Sequence, residues 1–172
     1  DRELSLTDLV VTNEGNVFFA TAHNGIIGYN PQTKKFNQIR SGTSGGLTGG
    51  YNRALAIDLQ DRLWIGTARG LRVLQNTTNF FNTSNPVARQ IIIMDGDVPQ
   101  ELLFEIPINA ITVDGSNNKW IATSTSGAFY VSATGQETIH HFTKDNSPLP
   151  SNDVQDIAVD PENGKVYFAT AK

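Results

Sequence analysis

Apolar and β-branched residues fall in short runs along this chain, each bounded by Asn, Asp, Gly or Ser, and no segment carries apolar positions at helical spacing. Runs punctuated in this way are the signature of strands joined by tight turns. One run recurs four times: Val-Phe-Phe-Ala-Thr at 17–21, Leu-Trp-Ile-Gly-Thr at 63–67, Lys-Trp-Ile-Ala-Thr at 119–123 and Val-Tyr-Phe-Ala-Thr at 166–170. Its threonines lie 46, 56 and 47 residues apart, the length of a β-propeller blade of four short strands.

The flanks repeat too. Leu-Val-Val-Thr (9–12), Leu-Ala-Ile-Asp (55–58), Ile-Thr-Val-Asp (111–114) and Ile-Ala-Val-Asp (157–160) precede the phrase, each separated from it by a polar turn. Gly25, Gly70 and Gly127 follow it and open third strands at 26–29, 71–74 and 129–131. Fourth strands fit 35–40, 89–94 and 138–142. The reading is an all-β partial propeller of about three and a half four-stranded blades. Blade one covers 4–40, blade two 52–94, blade three 108–142 and a half blade 153–172.

The repeated phrase is apolar almost throughout, so both faces of its strand should be covered. Phe18, Trp64, Trp120 and Tyr167 are expected to face one neighbouring blade, and Phe19, Ile65, Ile121 and Phe168 the other. A propeller closes with about four to eight blades, with seven the expected ring here. Either further blades of a longer parent complete it, or a second copy does, since twice three and a half is seven. The chain opens on Asp1 without a signal peptide and is expected to be a segment of a longer product.

Composition narrows the partners. Thirteen Lys and Arg against 17 Asp and Glu give a net charge of −4, which argues against a nucleic-acid partner. The charges are scattered, as on ordinary solvated faces. With no cysteine, disulfides and thiolate metal sites are excluded. No stretch approaches the roughly 20 apolar residues of a membrane-spanning helix.

Leu-Trp-Ile-Gly-Thr-Ala-Arg-Gly-Leu (63–71) and Val-Gln-Asp-Ile-Ala-Val-Asp (154–160) resemble the two-component-regulator type of propeller repeat. The stretch 119–170, with His-His-Phe-Thr-Lys-Asp-Asn-Ser-Pro-Leu-Pro-Ser-Asn (140–152) between two phrases, is similar to the PorZ-like surface proteins of Bacteroidetes type IX secretion. That resemblance implies a non-enzymatic binding or assembly scaffold in the cell envelope, periplasmic or exposed on the outer membrane. It also implies acidic glycan or lipopolysaccharide and envelope proteins as partners. The competing relative with the same repeat is the periplasmic, glycan-sensing region of hybrid two-component sensor kinases. A propeller glycan hydrolase or lyase is the third reading, and it calls for convergent carboxylates, Tyr or His.

Candidate chemistry is sparse. Asp58, Asp114 and Asp160 each precede a tight turn, where a carboxylate caps backbone amides. His140 and His141 are neighbours on a strand and point to opposite faces, so they cannot share a metal; His23 stands apart in a turn. The glycine-rich stretch 42–50 lacks the Lys and helix of a phosphate cradle and reads as a flexible loop. The acceptor patterns at Asn76 and Asn82 read as polar loop. No cofactor, metal or catalytic residue is expected. The loops 22–25, 68–70, 124–127, 41–52, 95–107 and 144–152 should emerge on one face around the channel. Arg53, Arg69 and Tyr51 are the groups there suited to an acidic ligand, because arginine offers a planar fork of donors.

Overall fold

A computed structural model describes residues 4–42, 44–47 and 51–171. Parts of the 41–52 connection and the last residue of the half blade lie outside them. Blade one is an antiparallel sheet of β1 (Leu6–Val11), β2 (Val17–Thr21), β3 (Ile26–Asn30) and β4 (Lys35–Ile39) in chain order. Blade two has β5 (Asn52–Ile57), β6 (Leu63–Thr67) and β7 (Gly70–Leu74). A 3-10 helix (Thr78–Asn82) and a separate hairpin, β8 (Ile92–Asp95) with β9 (Val98–Glu101), follow. Blade three is β10 (Ile108–Val113), β11 (Lys119–Thr123), β12 (Ala128–Val131) and β13 (Thr138–Phe142). The half blade is β14 (Val154–Val159) with β15 (Val166–Thr170). The inner strands β1, β5, β10 and β14 lie side by side in chain order. The architecture is the partial propeller that the repeat predicts.

One strand assignment is corrected. The expected fourth strand of blade two at 89–94 is reduced to a single bridge, in which Val73 and Arg89 exchange backbone hydrogen bonds at 2.8 and 2.9 Å. Ile92–Asp95 turns away to pair with Val98–Glu101 across Gly96 and Asp97. This extra hairpin accounts for the long middle interval of the repeat. It carries Leu102 and Leu103 into the core between blades two and three. The glycine-rich stretch differs as well. Its described part is packed, with Leu47 buried, Ala88 N–H donating to the Gly45 carbonyl at 3.0 Å and Arg72 Nε to the Gly46 carbonyl at 2.9 Å.

Blades hold to one another through alternate faces of their second strands. Phe18 points forward into a cluster with Leu55, Leu63 and Ile65 of blade two. Trp64 points forward to Ile111, Ile121 and Val131 of blade three, while Ile65 on the opposite face points back to Phe18. Burying such a side chain contributes about 1.5–3 kcal/mol. Asp8 adds a polar latch: its Oδ1 accepts the Leu9 amide and its Oδ2 the Leu55 amide of the next blade, both at 2.7 Å. At the ends of the array the same positions are bare. Leu9 is 51% exposed where its counterpart Leu55 is 4%, and Tyr167 is 57% exposed where Trp64 is 0%. The half blade is the inner pair of strands and takes a full place around the axis. Counted in this way, two copies set end to end would fill eight places, and a ring of seven would need three blades beyond these four.

The junction of blades two and three also encloses an ionic cluster. Asp58 Oδ1 caps the turn by accepting the Gln60 and Arg62 amides at 2.9 and 3.0 Å. Its Oδ2 accepts Arg62 Nε at 2.7 Å and Trp64 Nε1 at 2.9 Å. Lys119 of blade three reaches the same oxygen at 3.0 Å, donates to the carbonyls of Asn117 and Ala133 at 2.7 and 2.8 Å, and lies 4.4 Å from the Trp64 ring centre. Burial pushes the Asp58 carboxyl up, but its hydrogen bonds from Arg62, Trp64 and Lys119 outweigh that and bring its pKa down to about 2. Burial also pulls the Lys119 ammonium down, against the opposing pull of Asp58.

The folded pKa of Asp58 lies below its ordinary value of 3.8. Its charge therefore stabilises the fold fully above about pH 4, and that contribution is lost as pH falls through about 2. The difference is worth about 2 kcal/mol. In urea unfolding at pH 5 and pH 2, the parent is expected to lose about that much more than an Asp58→Asn variant. Equal losses would show that this carboxylate does not tie the two blades.

Candidate functional site

Each inner strand breaks register once against its partner: between Leu6 and Asp8, Asn52 and Ala54, Ile108 and Ala110, and Val154 and Asp156. A bulge leaves one residue unpaired and re-aims its side chain. The four residues so released are Thr7, Arg53, Asn109 and Gln155, one per blade. Together with Ser5, Leu6 and Tyr51 they line a groove of about 440 Å³ along the inner strands.

Within this row Thr7, Arg53 and Asn109 each reach toward the next blade, while Gln155 Nε2 donates to Asp153 beside it. Thr7 Oγ1 donates to the Asn52 carbonyl at 2.7 Å, and Asn109 Nδ2 makes the equivalent bond to the Val154 carbonyl at 2.8 Å. Arg53 Nη1 donates to Asn109 Oδ1 at 2.8 Å and to Ser124 Oγ at 3.1 Å. The guanidinium carbon stands 5.4 Å from the Tyr51 ring centre, and the His23 ring meets that of Tyr51 edge-on at 6.0 Å. Arg53 Nε and Nη2 have no protein partner among the described residues. Among the described residues the groove thus offers one oriented cation, an aromatic ring with its phenol, two amides and two aliphatic hydroxyls, and none of those lining it is a carboxylate or a histidine.

Of the three residues singled out in the sequence, Arg53 and Tyr51 come together here. Arg69 does not line the groove. It sits in the β6–β7 turn, its Nε and Nη2 donating to Glu105 at 2.8 and 2.6 Å, a pairing that raises the Arg69 pKa and lowers that of Glu105. Thr7, Asn109 and Gln155 went unrecognised in the sequence. The signal for them was there: with Arg53 they stand two residues before the aligned Leu9, Leu55, Ile111 and Ile157, four polar residues in one column of the repeat.

The remaining candidates are structural. Asp114 Oδ1 accepts the Ser116 and Asn118 amides, each at 2.9 Å, and Asp160 Oδ1 the Glu162 amide at 2.9 Å, so the recurrent aspartates cap turns as their position predicts. Thr21, Thr67 and Thr123 each donate a hydroxyl to the carbonyl of Gly25, Gly70 or Gly127 at 2.7–2.8 Å, closing the turn after the phrase. Gly25 and Gly127 have φ of +79° and +78°, and a Cβ there would strike the carbonyl oxygens of Ile39 and Phe142, so no other residue fits. His141 stacks on Phe129 at 3.9 Å and bonds the Ser126 carbonyl through Nε2 at 2.6 Å. His140 lies on the other face, beside Tyr130. Among the described residues no three His, Asp or Glu gather as metal ligands, and no helix is long and apolar enough to cross a membrane.

No family profile matches the chain. Histidine kinase P4 of Formosa agariphila is 38% identical over 64 residues, covering 36% of this chain and 5% of that protein. PorZ, an essential bacterial surface component of the type IX secretion system of Porphyromonas gingivalis, superposes with a TM-score of 0.71 at 20% identity over 96% of this chain and 31% of its own. The extracellular domain of the hybrid two-component system BT4673 from B. thetaiotaomicron gives 0.67 at 18%, over 96% of this chain and 20% of its own. The gluconolactonase XC5397 of Xanthomonas campestris gives 0.63 at 14%, over 98% of this chain and 55% of its own. The chain therefore spans a third or less of the kinase, PorZ and BT4673 and about half of the gluconolactonase, and the structural likenesses establish the fold.

Asn109 is the hub of the row, bonded to Arg53, Ser124 and Val154. Asn109→Ala is expected to lower unfolding free energy by about 1–2 kcal/mol, and Thr7→Val, which loses a single bond, by less. Urea denaturation of both variants checks this. An unchanged Asn109→Ala midpoint would mean that these bonds do not fix the inner strands.

Proposed function

We propose that the chain is a non-enzymatic binding and assembly scaffold of the bacterial cell envelope, and that it takes an acidic saccharide, as in anionic lipopolysaccharide, at the inner-strand groove. The observation that carries this reading is Arg53. Among the described residues it is the one cation lining the groove, Asn109 and Ser124 hold it through one nitrogen, and it stands beside the Tyr51 ring. A planar guanidinium suits a carboxylate or phosphate, and a neighbouring aromatic face suits a sugar ring. Arg69, outside the groove, is a proposed second contact for a longer saccharide, and an anion reaching it must displace Glu105. Likeness to a secretion-system surface protein supports an envelope location.

A second reading shares the site and differs in output: a periplasmic glycan-sensing propeller of a hybrid two-component sensor kinase. It is favoured by the local identity to a histidine kinase and by the likeness to an extracellular sensor domain. Turnover is the third reading. The gluconolactonase neighbour keeps it in view, while the described residues of the groove, which include no carboxylate or imidazole, favour holding a ligand over acid–base chemistry.

Titration calorimetry with a polyuronate, with lipopolysaccharide and with a neutral polysaccharide tests the proposal. Binding of the two anionic ligands is expected, weakened about tenfold in an Arg53→Ala, Arg69→Ala double variant and by added salt. Equal binding by parent and variant would remove Arg53 from the site, and release of product from any of the saccharides would replace the scaffold with an enzyme.

A further inference from the structure

Blade two departs from the repeat between β7 and β10, where residues 75–107 stand in place of a fourth strand. The first part of this segment is firmly anchored. Phe80 is buried edge-on against Phe18 at 5.0 Å, in space left by Gly28, where an added Cβ would strike the Phe80 ring. Asn37 Nδ2 donates to the Phe80 and Thr83 carbonyls, each at 2.7 Å, and Thr77 Oγ1 to the Asp61 carbonyl at 2.8 Å. Arg89 closes the segment through its main-chain bridge to Val73. Main-chain bonds and one buried ring hold this loop, so its exposed side chains are left for other work.

What the loop presents is mostly amide. Asn76, Asn79, Asn82 and Asn85 recur at every third residue, matching the three residues per turn of the 3-10 helix they span. Asn76, Asn79 and Asn85 line one cavity of about 310 Å³ with Gln75, Thr83 and Arg89, near the lower end of the volumes that hold small molecules. All of these but Thr83 are exposed. Asn76 Oδ1 accepts the Asn79 amide at 2.8 Å, and Asn79 Nδ2 donates to Thr83 Oγ1 at 3.3 Å. Among the described residues the side chains of Gln75, Asn85 and Arg89 bond nothing in the protein, and no carboxylate lines the cavity. A carboxamide sets a donor beside an acceptor, which matches neighbouring hydroxyls on a sugar ring. The guanidinium among them suits one carboxylate.

We propose that this cavity is a separate saccharide site, beyond the third strand of blade two, for one uronic acid ring of an acidic polysaccharide. Arg89 takes the ring's carboxylate, and the amides of Gln75, Asn76 and Asn85 take its hydroxyls. The cavity shares no lining residue with the inner-strand groove. It therefore goes beyond the groove reading and stands or falls without it.

The test is NMR titration of the full chain with trigalacturonate, and with its methyl ester as the uncharged form of the same rings. Trigalacturonate is expected to shift the side-chain amide signals of Gln75, Asn76, Asn79 and Asn85 saturably, and the ester to bind about tenfold more weakly. Arg89→Ala removes a side chain that bonds nothing in the protein, so the variant keeps the parent's backbone spectrum. At these signals it binds trigalacturonate about tenfold more weakly. Arg53→Ala leaves the same shifts unchanged, while the Asn109 side-chain signal reports on the groove separately. Amide signals that stay unmoved at millimolar trigalacturonate would make the loop hydrated surface and overturn the proposal. So would equal affinity for the ester, or equal affinity in Arg89→Ala.

Discussion

The packing of one blade's forward-facing aromatic beneath the next blade's inner hairpin is the interaction on which the molecule depends. Phe18 under blade two and Trp64 under blade three each close a separate cluster, and a smaller one joins blade three to the half blade through Trp120 and Phe168. No blade has a core of its own. Stability in such an array is a sum over neighbouring pairs, so every junction raises the stability of the two blades it joins and of no others. The bare Leu9 and Tyr167 faces mark where that sum stops in these 172 residues.

The junctions are not interchangeable, because buried polar groups give each an identity. Asp8 latches the Leu55 amide at the first, and Lys119 enters the Asp58–Trp64 site at the second. At the first junction Thr12 takes the place of Asp58, so a lysine set there would find no matching carboxylate, and an unpaired buried ammonium is costly. Apolar packing thus supplies the attraction while a few ionised or hydrogen-bonded groups supply the order of assembly.

How much of this was legible depended on repetition. The second strands, the turn aspartates and the closing threonines recur in register, so a single alignment placed them, and their two-sided burial followed from their composition. Blade two's outer edge failed for a physical reason. Arg-Gln-Ile-Ile-Ile-Met at 89–94 has strand propensity, but it serves a different partner, and Gly96-Asp97, a two-residue hairpin loop, was the overlooked cue. Lys119 was equally visible as a cation in a column of Val and Leu, yet its burial depends on a carboxylate 61 residues earlier in the chain, a pairing that no local pattern specifies. The groove was half legible. Arg53 and Tyr51 stood out by residue type, whereas Thr7, Asn109 and Gln155 matter only because bulges turn them the same way. Arg69 has the right chemistry but faces Glu105, and composition does not reveal which carboxylate an arginine meets.

The recurrent bulge has an evolutionary meaning. Because the residue it releases belongs to neither face of the blade, Thr, Arg, Asn and Gln can all occupy that position while the aromatic and aliphatic columns beside it stay fixed. Such a scaffold separates the sites that selection must conserve from those it is free to change. Since Thr7, Arg53 and Asn109 also bond the next blade, a substitution there alters one polar tie across a junction and leaves its aromatic and aliphatic packing in place.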